Sequence, residues 1–240
     1  MSPSPSSFVP TRWTVVARAR GDNPAAQEAL SELCDSYYEP IISFLKREGR
    51  TQDAAQELAH DFFAKLLSNG IGKPDQTKGR FRNFLLGALK NFLVQKRTSL
   101  STQKRGQNIE HLSLSETDAH GDGIELSVLK NEEESTAYFD RVWALHLIQR
   151  SFSQLEKEYE KKPILFQTLK PWLDGSASEP QATVTETLGI SATAVKVALH
   201  RLRKRFREII RHEISQTIDN VEDLEEELQY LITIVAQKQS

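Results

Sequence analysis

Cysteine is almost absent from this chain. Its one thiol, Cys34, excludes an intrachain disulfide framework and any zinc site built from cysteines. Eleven glycines and nine prolines in 240 residues are too few for a collagen-like or glycine-rich low-complexity chain. No stretch approaches the roughly 18 apolar residues that a membrane span requires. The first residues, Met1-Ser2-Pro3-Ser4-Pro5-Ser6-Ser7, have no basic end and no apolar run, so a secretory signal is not expected. What is present is 38% apolar and 27% charged residues, enough for a core and too polar for a membrane protein or fibre. The length fits one or two domains, and the expectation is a soluble, cytoplasmic protein.

The net charge of −2 hides a strong asymmetry. From Lys73 to Arg105 nine bases stand against one acid, Asp75. From Lys196 to Arg211 seven bases stand against Glu208. Acids gather instead in Glu110 to Asp140 and in Glu213 to Glu227. Two basic segments joined by an acidic stretch point to two contacts with a polyanion, the plainer alternative being two solvated helix faces.

The periodicity reads as all-helical, with no convincing strand alternation and no internal repeat. Asn23-Pro24 starts a helix that runs to about Tyr38, where Pro40 is expected to interrupt it, and a second piece covers Ile41 to Arg47. Thr51 can cap the next helix, which carries Leu58, Phe62, Phe63, Leu66 and Leu67. After the loop Ile71 to Gly79, a long helix spans about Arg80 to Arg97, with Phe81, Phe84, Leu85, Ala88 and Phe92 as its core stripe. Thr98 to about Glu134 has the composition of a linker. Helices resume near Ser135 and carry Phe139, Val142, Trp143, Leu147, Phe152 and Leu155. The chain is thus expected to form two helical domains on either side of a flexible acidic linker.

Ala182 to Phe206 holds the most specific pattern. Gly189 can close a short helix in the left-handed conformation, Ile190 is expected to turn to the core, and Ser191 can cap the next helix. This is the spacing of a helix-turn-helix. In the second helix Val195, Leu199, Leu202, Phe206 and Ile209 share one stripe. Thr193, Val197, His200 and Lys204 lie opposite, flanked by Lys196, Arg201 and Arg207. Val197 is apolar on the polar side, and a small apolar side chain in a major groove can touch a thymine methyl. Lys196, His200 and Arg201 can reach base edges or phosphates, while Arg203, Lys204, Arg205 and Arg207 suit phosphate positioning.

Three motifs in order give the chain a wider resemblance. They are Asp53 to Phe63 (with Glu57, His60 and Asp61), Lys78 to Phe92 (with Gly79-Arg80-Phe81-Arg82) and the helix-turn-helix, preceded by Arg12-Trp13-Thr14. From about Thr11 to Glu213 the sequence resembles a bacterial extracytoplasmic-function sigma factor of the sigma-70 family. The resemblance implies a lead-in over 1–22, a region 2 domain over 23–105, a linker over 106–134, a region 4 domain over 135–215 and an acidic helical extension over 216–240. It implies that Glu57, His60 and Asp61 lie where the family binds the β′ clamp helices of core RNA polymerase. Lys78, Arg80, Arg82, Lys90, Asn91, Lys96 and Arg97 fall on the part that opens the promoter's −10 element, Asn91 at the position that reads an extruded base. Ser191, Thr193, Lys196, Val197, His200, Arg201, Arg203, Lys204 and Arg207 fall on the reader of the −35 element. The sequence departs from the family at several points. Ala54 and Gln56 stand for acids of the first motif, Phe84 for a Trp, and Lys162 to Phe166 for a Leu-Pro segment.

The implied partners are core RNA polymerase (β′ clamp helices and β flap), promoter DNA and a regulatory protein such as an anti-sigma factor, with no membrane, cofactor or metal and no catalysis. The rival readings are a stand-alone helix-turn-helix regulator and a helical metal enzyme. Glu57-x-x-His60 has the spacing of a di-iron ligand pair, but no second copy exists, and the six histidines are scattered. Gln107 to Glu133 is expected to stay mobile in the free protein. The last helix, capped by Asp219 or Asn220, carries a seam of Val221, Leu224, Leu228, Leu231 and Val235. It is expected to pack on the second domain or, alternatively, to bridge the domains with its acids near the recognition helix.

Overall fold

The computed structural model describes residues 24–69, 80–106, 132–177, 181–218 and 220–237. Regular structure there is helical: α1 (Pro24–Arg47), α2 (Gln52–Asn69), α3 (Phe81–Gly106), α4 (Glu132–Glu158), α5 (Pro163–Leu169), α6 (Pro171–Asp174), α7 (Gln181–Leu188), α8 (Ala192–Ser215), a 3-10 turn (Val221–Asp223) and α9 (Leu224–Ala236). The one sheet-like contact among the described residues is an isolated antiparallel bridge between Arg80 and Ile218. No helix of the described residues is long and apolar enough to cross a membrane. The expected mobile stretch falls almost wholly outside the described residues, as do Arg12-Trp13-Thr14 and Lys78.

Two compact units emerge. The first holds the described residues up to Ala144 together with those from Gln216 onward; the second is Leu145–Ser215. The second unit starts at Leu145 rather than at Ser135, ends at Ser215 as expected, and the extension beyond it belongs to the first unit. The first turns of α4 join the first unit because Phe139 and Trp143 are buried there against Tyr37, with ring centroids 6.4 and 5.6 Å apart. The last helix also joins the first unit rather than the second, because its Glu227 is buried against Arg82. Its seam therefore includes a carboxylate: Glu227, Leu231 and Ile234 are its buried residues.

In the first unit α1 packs on α2. Pro40 lies inside α1 without ending it. A helix-interior proline removes one backbone hydrogen bond, but Tyr37, Ile41, Ile42, Phe44 and Leu45 on either side are all buried, and this packing keeps the helix continuous. Gly49, at φ 86°, ends the helix, and Thr51 caps α2 through its Oγ1, which accepts the Ala54 N–H at 3.3 Å. Helix α3 buries Phe81, Leu85, Leu86, Leu89 and Leu93, so its inward stripe is rotated from the expected one and leaves Phe84, Ala88 and Phe92 half-buried.

Cys34 is buried in α1, and burial pushes its thiol up to about 12. A thiolate is the reactive species. The native protein is therefore expected to resist an aromatic disulfide reagent at pH 8 and to react fully once denatured. Fast, stoichiometric labelling of the folded chain would contradict this placement.

Candidate nucleic-acid interface

The second unit is built around Leu155, Phe166, Leu169, Val184, Val195, Leu202 and Ile209. Pro163 opens α5 at a position whose N–H has no helical partner. Phe152 and Phe206 join α4 to α8, with ring centroids 4.4 Å apart. Between α7 and α8, Gly189 has φ 62°, the left-handed region that glycine enters without a Cβ clash. Ser191 Oγ then accepts the Ala194 N–H at 3.2 Å and caps α8. Ile190 does not turn fully inward as expected. It stays exposed at the corner, since the turn leaves only Leu188 before it and Val195 after it to reach the core.

Helix α8 separates two faces. Val195, Leu199, Leu202, Ile209 and Ile214 are buried. Thr193, Lys196, Val197, His200, Arg201, Arg203, Lys204 and Arg207 are exposed, as is the cap Ser191. Val197 keeps 43% of its surface accessible, which leaves an apolar contact point among the bases.

Within this basic face some cations are already engaged. Arg203 Nη2 donates to the carbonyl of Trp172 in α6 at 2.9 Å. Arg205 forms a two-pronged pair with Glu158 at 2.7 and 2.6 Å and also reaches Glu208 at 3.3 Å. Lys204 lies 3.9 Å from Glu208, a weak exposed pair. Arg205 is thus a tie between α8 and α4 rather than a phosphate contact. Its hydrogen bonds hold the Glu158 carboxyl below the ordinary range. A depressed carboxyl stabilises the fold above its unfolded value, and that contribution is lost as pH falls through the folded value. Arg205→Ala is expected to bring the Glu158 titration back up, read by carboxyl NMR, and to flatten the acid limb of thermal stability. An unmoved Glu158 titration would show that the pair does not persist in solution.

The first unit distributes its expected contacts differently. Arg82, expected on a DNA track, is buried. Its Nε donates to Asp140 Oδ1 at 2.8 Å and its Nη1 to Glu227 Oε1. Its guanidinium lies between the Trp143 and Tyr230 rings, 5.2 and 5.5 Å from their centroids. The cause is its register: Leu85, Leu86, Leu89 and Leu93 follow at helical spacing, so Arg82 lies on the buried face of α3 beside Phe81. Arg80 sits at the rim, with Nε 2.8 Å from Glu227 Oε2. Tyr230 donates to Asp140 Oδ2 at 2.6 Å, and burial followed by that carboxylate pushes its phenol up to about 12. Asn91 and Arg97 are exposed on α3, Lys90 is half-buried, and Lys96 pairs with Asp61 at 2.6 Å.

Of the residues expected to meet polymerase, Glu57 is exposed on α2. Asp61 is exposed but held by Lys96, and His60 Nε2 lies 2.7 Å from the Tyr38 hydroxyl with the two rings 5.4 Å apart. His60 is therefore part of an aromatic contact between α1 and α2. Among the described residues no group of three or more His, Cys, Asp or Glu side chains could hold a metal ion. No family model matches the chain, and neither a curated protein nor a solved structure matches it.

Asp140, Glu227 and Tyr230 were not foreseen as partners of Arg82. The available signal was the arginine itself, in phase with four leucines. A cation in an apolar stripe requires buried acids from other elements. Glu158 and the Trp172 carbonyl carried no such signal.

Proposed function

We propose that this chain is a sigma factor of the extracytoplasmic-function type, a dissociable subunit that directs core RNA polymerase to promoters and acts in the cytoplasm without catalysing a reaction. In this reading region 4 uses α8 to read the −35 element, region 2 uses α3 to engage the −10 element, and the acidic stretch 106–134 links them. The observation that carries the reading is the outer face of α8. Val197 stands exposed among Thr193, Lys196, His200 and Arg201, opposite a buried stripe and directly after a capped left-handed turn. A helix presented in this way can enter a major groove, with apolar contact for a thymine methyl and cations for base edges and phosphates. The three motifs in family order add the polymerase and −10 contacts, here assigned to Glu57, Asn91, Lys90 and Arg97.

Run-off transcription with core polymerase and a random promoter library tests this. Transcripts whose templates share two spaced elements are expected. Lys196→Ala, His200→Ala or Arg201→Ala should shift the preferred −35 bases by about 1–3 kcal/mol where a bidentate contact is lost. Lys204→Ala should weaken all sequences alike and reduce the salt slope. A second reading, the stand-alone helix-turn-helix regulator, is favoured by the engagement of Arg82, Arg80 and Lys96 inside the first unit. Specific duplex binding without any polymerase-dependent transcript would decide for it.

A further inference from the structure

The C-terminal segment is fastened to the first unit at its start, middle and end. The Phe81 N–H donates to the Thr217 carbonyl at 2.9 Å beside the bridge between Arg80 and Ile218. Glu227 meets Arg82 and Arg80, and Tyr230 meets Asp140. At the far end Arg141 Nη1 donates to the carbonyls of Ile234 and Gln237, groups that a helix terminus leaves without partners.

This arrangement has two layers. Arg82 and Asp140, both buried, anchor α9 through Oε1 of Glu227 and the hydroxyl of Tyr230. Arg80 lies outside that anchor, with 27% of its side chain accessible. The two described contacts of its side chain both come from α9: Glu227 Oε2 at 2.8 Å and the Tyr230 ring, 5.4 Å from its guanidinium carbon. Arg80 also stands immediately before α3, on which Lys90, Asn91 and Arg97 lie. The Glu227 carboxylate stands between two arginines, hydrogen-bonded to Arg82 and at ion-pair distance from Arg80, a charge arrangement that also suits a phosphate. Arg82 Nη2 and Glu227 Oε2 are buried without a hydrogen-bond partner among the described residues, so the anchor is less than fully satisfied and Arg80 holds Oε2 by charge alone.

We propose that α9 is an intramolecular latch: Glu227 occupies Arg80 in place of a backbone phosphate of single-stranded DNA, so α9 and the DNA strand compete for the first unit. The inference rests on the reading that this unit takes single-stranded DNA. Competition is reciprocal, so a strand that captures Arg80 loosens α9 and release of α9 strengthens strand binding. A helix of 13 residues is marginal alone in water, so α9 unfolds once its contacts open.

The test uses the full chain and a labelled, random-sequence single-stranded oligonucleotide. Glu227→Gln keeps the side chain's shape and removes its charge. It is expected to bind the oligonucleotide at least about fivefold more tightly, the lower end for coupled sites, and Arg80→Ala added to it should abolish the gain. In the unaltered chain, saturating oligonucleotide should reduce amide-exchange protection across Leu224–Ala236, a readout that stands even if the variant folds poorly. If Glu227→Gln binds no more tightly and α9 protection is unchanged while the protein still supports transcription, the latch is wrong and the functional reading stands. If no form binds the oligonucleotide or supports transcription with core polymerase, both fall together.

Discussion

Arg82→Met is expected to destabilise the first unit by about 3–5 kcal/mol, the cost of breaking a buried ion pair from one side. The substitution leaves the Asp140 and Glu227 carboxylates facing each other without their shared cation, both in residues that are almost fully buried. It also removes the guanidinium from between Trp143 and Tyr230. Urea titration followed by Trp fluorescence and far-ultraviolet circular dichroism would read the loss. Replacing all three charges, as Arg82→Met with Asp140→Leu and Glu227→Leu, should recover most of it, since apolar residues of similar volume often equal a buried ion network. A loss below about 1 kcal/mol, typical of an exposed pair, would show that Arg82 faces solvent and return it to the surface of α3.

On α8, Leu202→Ala is expected to cost about 2–5 kcal/mol, because a fully buried leucine loses its contacts and leaves a cavity. Leu202 is wholly enclosed with Val195 and Ile209 in the core of the second unit. Val197→Ala, five positions earlier on the opposite face, should change stability by no more than about 0.5 kcal/mol. The two variants should separate in function as well. Leu202→Ala weakens binding to every duplex in proportion to the unfolded fraction, whereas Val197→Ala alters preference where a thymine methyl had been in contact. Thermal melts paired with a duplex selection would show this. Equal destabilisation by both variants would mean that α8 is rotated from the orientation described.

The turn between α7 and α8 was legible because each of its signals is local. Left-handed Gly189, the Ser191 cap and the separation of Val195, Leu199 and Leu202 from Val197 and His200 all depend on residues within a few turns of one another. Thr51 as the cap of α2 was legible for the same reason. Pro40 misled because its local cost was real, yet the buried residues around it outweighed that cost. The inward face of α3 is legible only in part: Phe81 and Leu85 are buried as expected, but Arg82, Leu86 and Leu93 complete the face where Phe84 and Phe92 are expected.

The sequence by itself determined an all-helical chain with one strongly two-faced basic helix, since 3.6-residue periodicity and capping chemistry act over short distances. Only the tertiary structure decided where the charges go. Arg82 lies 58 positions from Asp140 and 145 from Glu227, and no local rule links residues so far apart. Arg205 and Glu158 are 47 positions apart and meet for the same reason: packing of α4 against α8 brings them together. For Arg82 burial removes water as the alternative partner, so a long-range contact, not composition, assigns it to the scaffold; Arg205 stays exposed and is tied only by its two-pronged pair with Glu158.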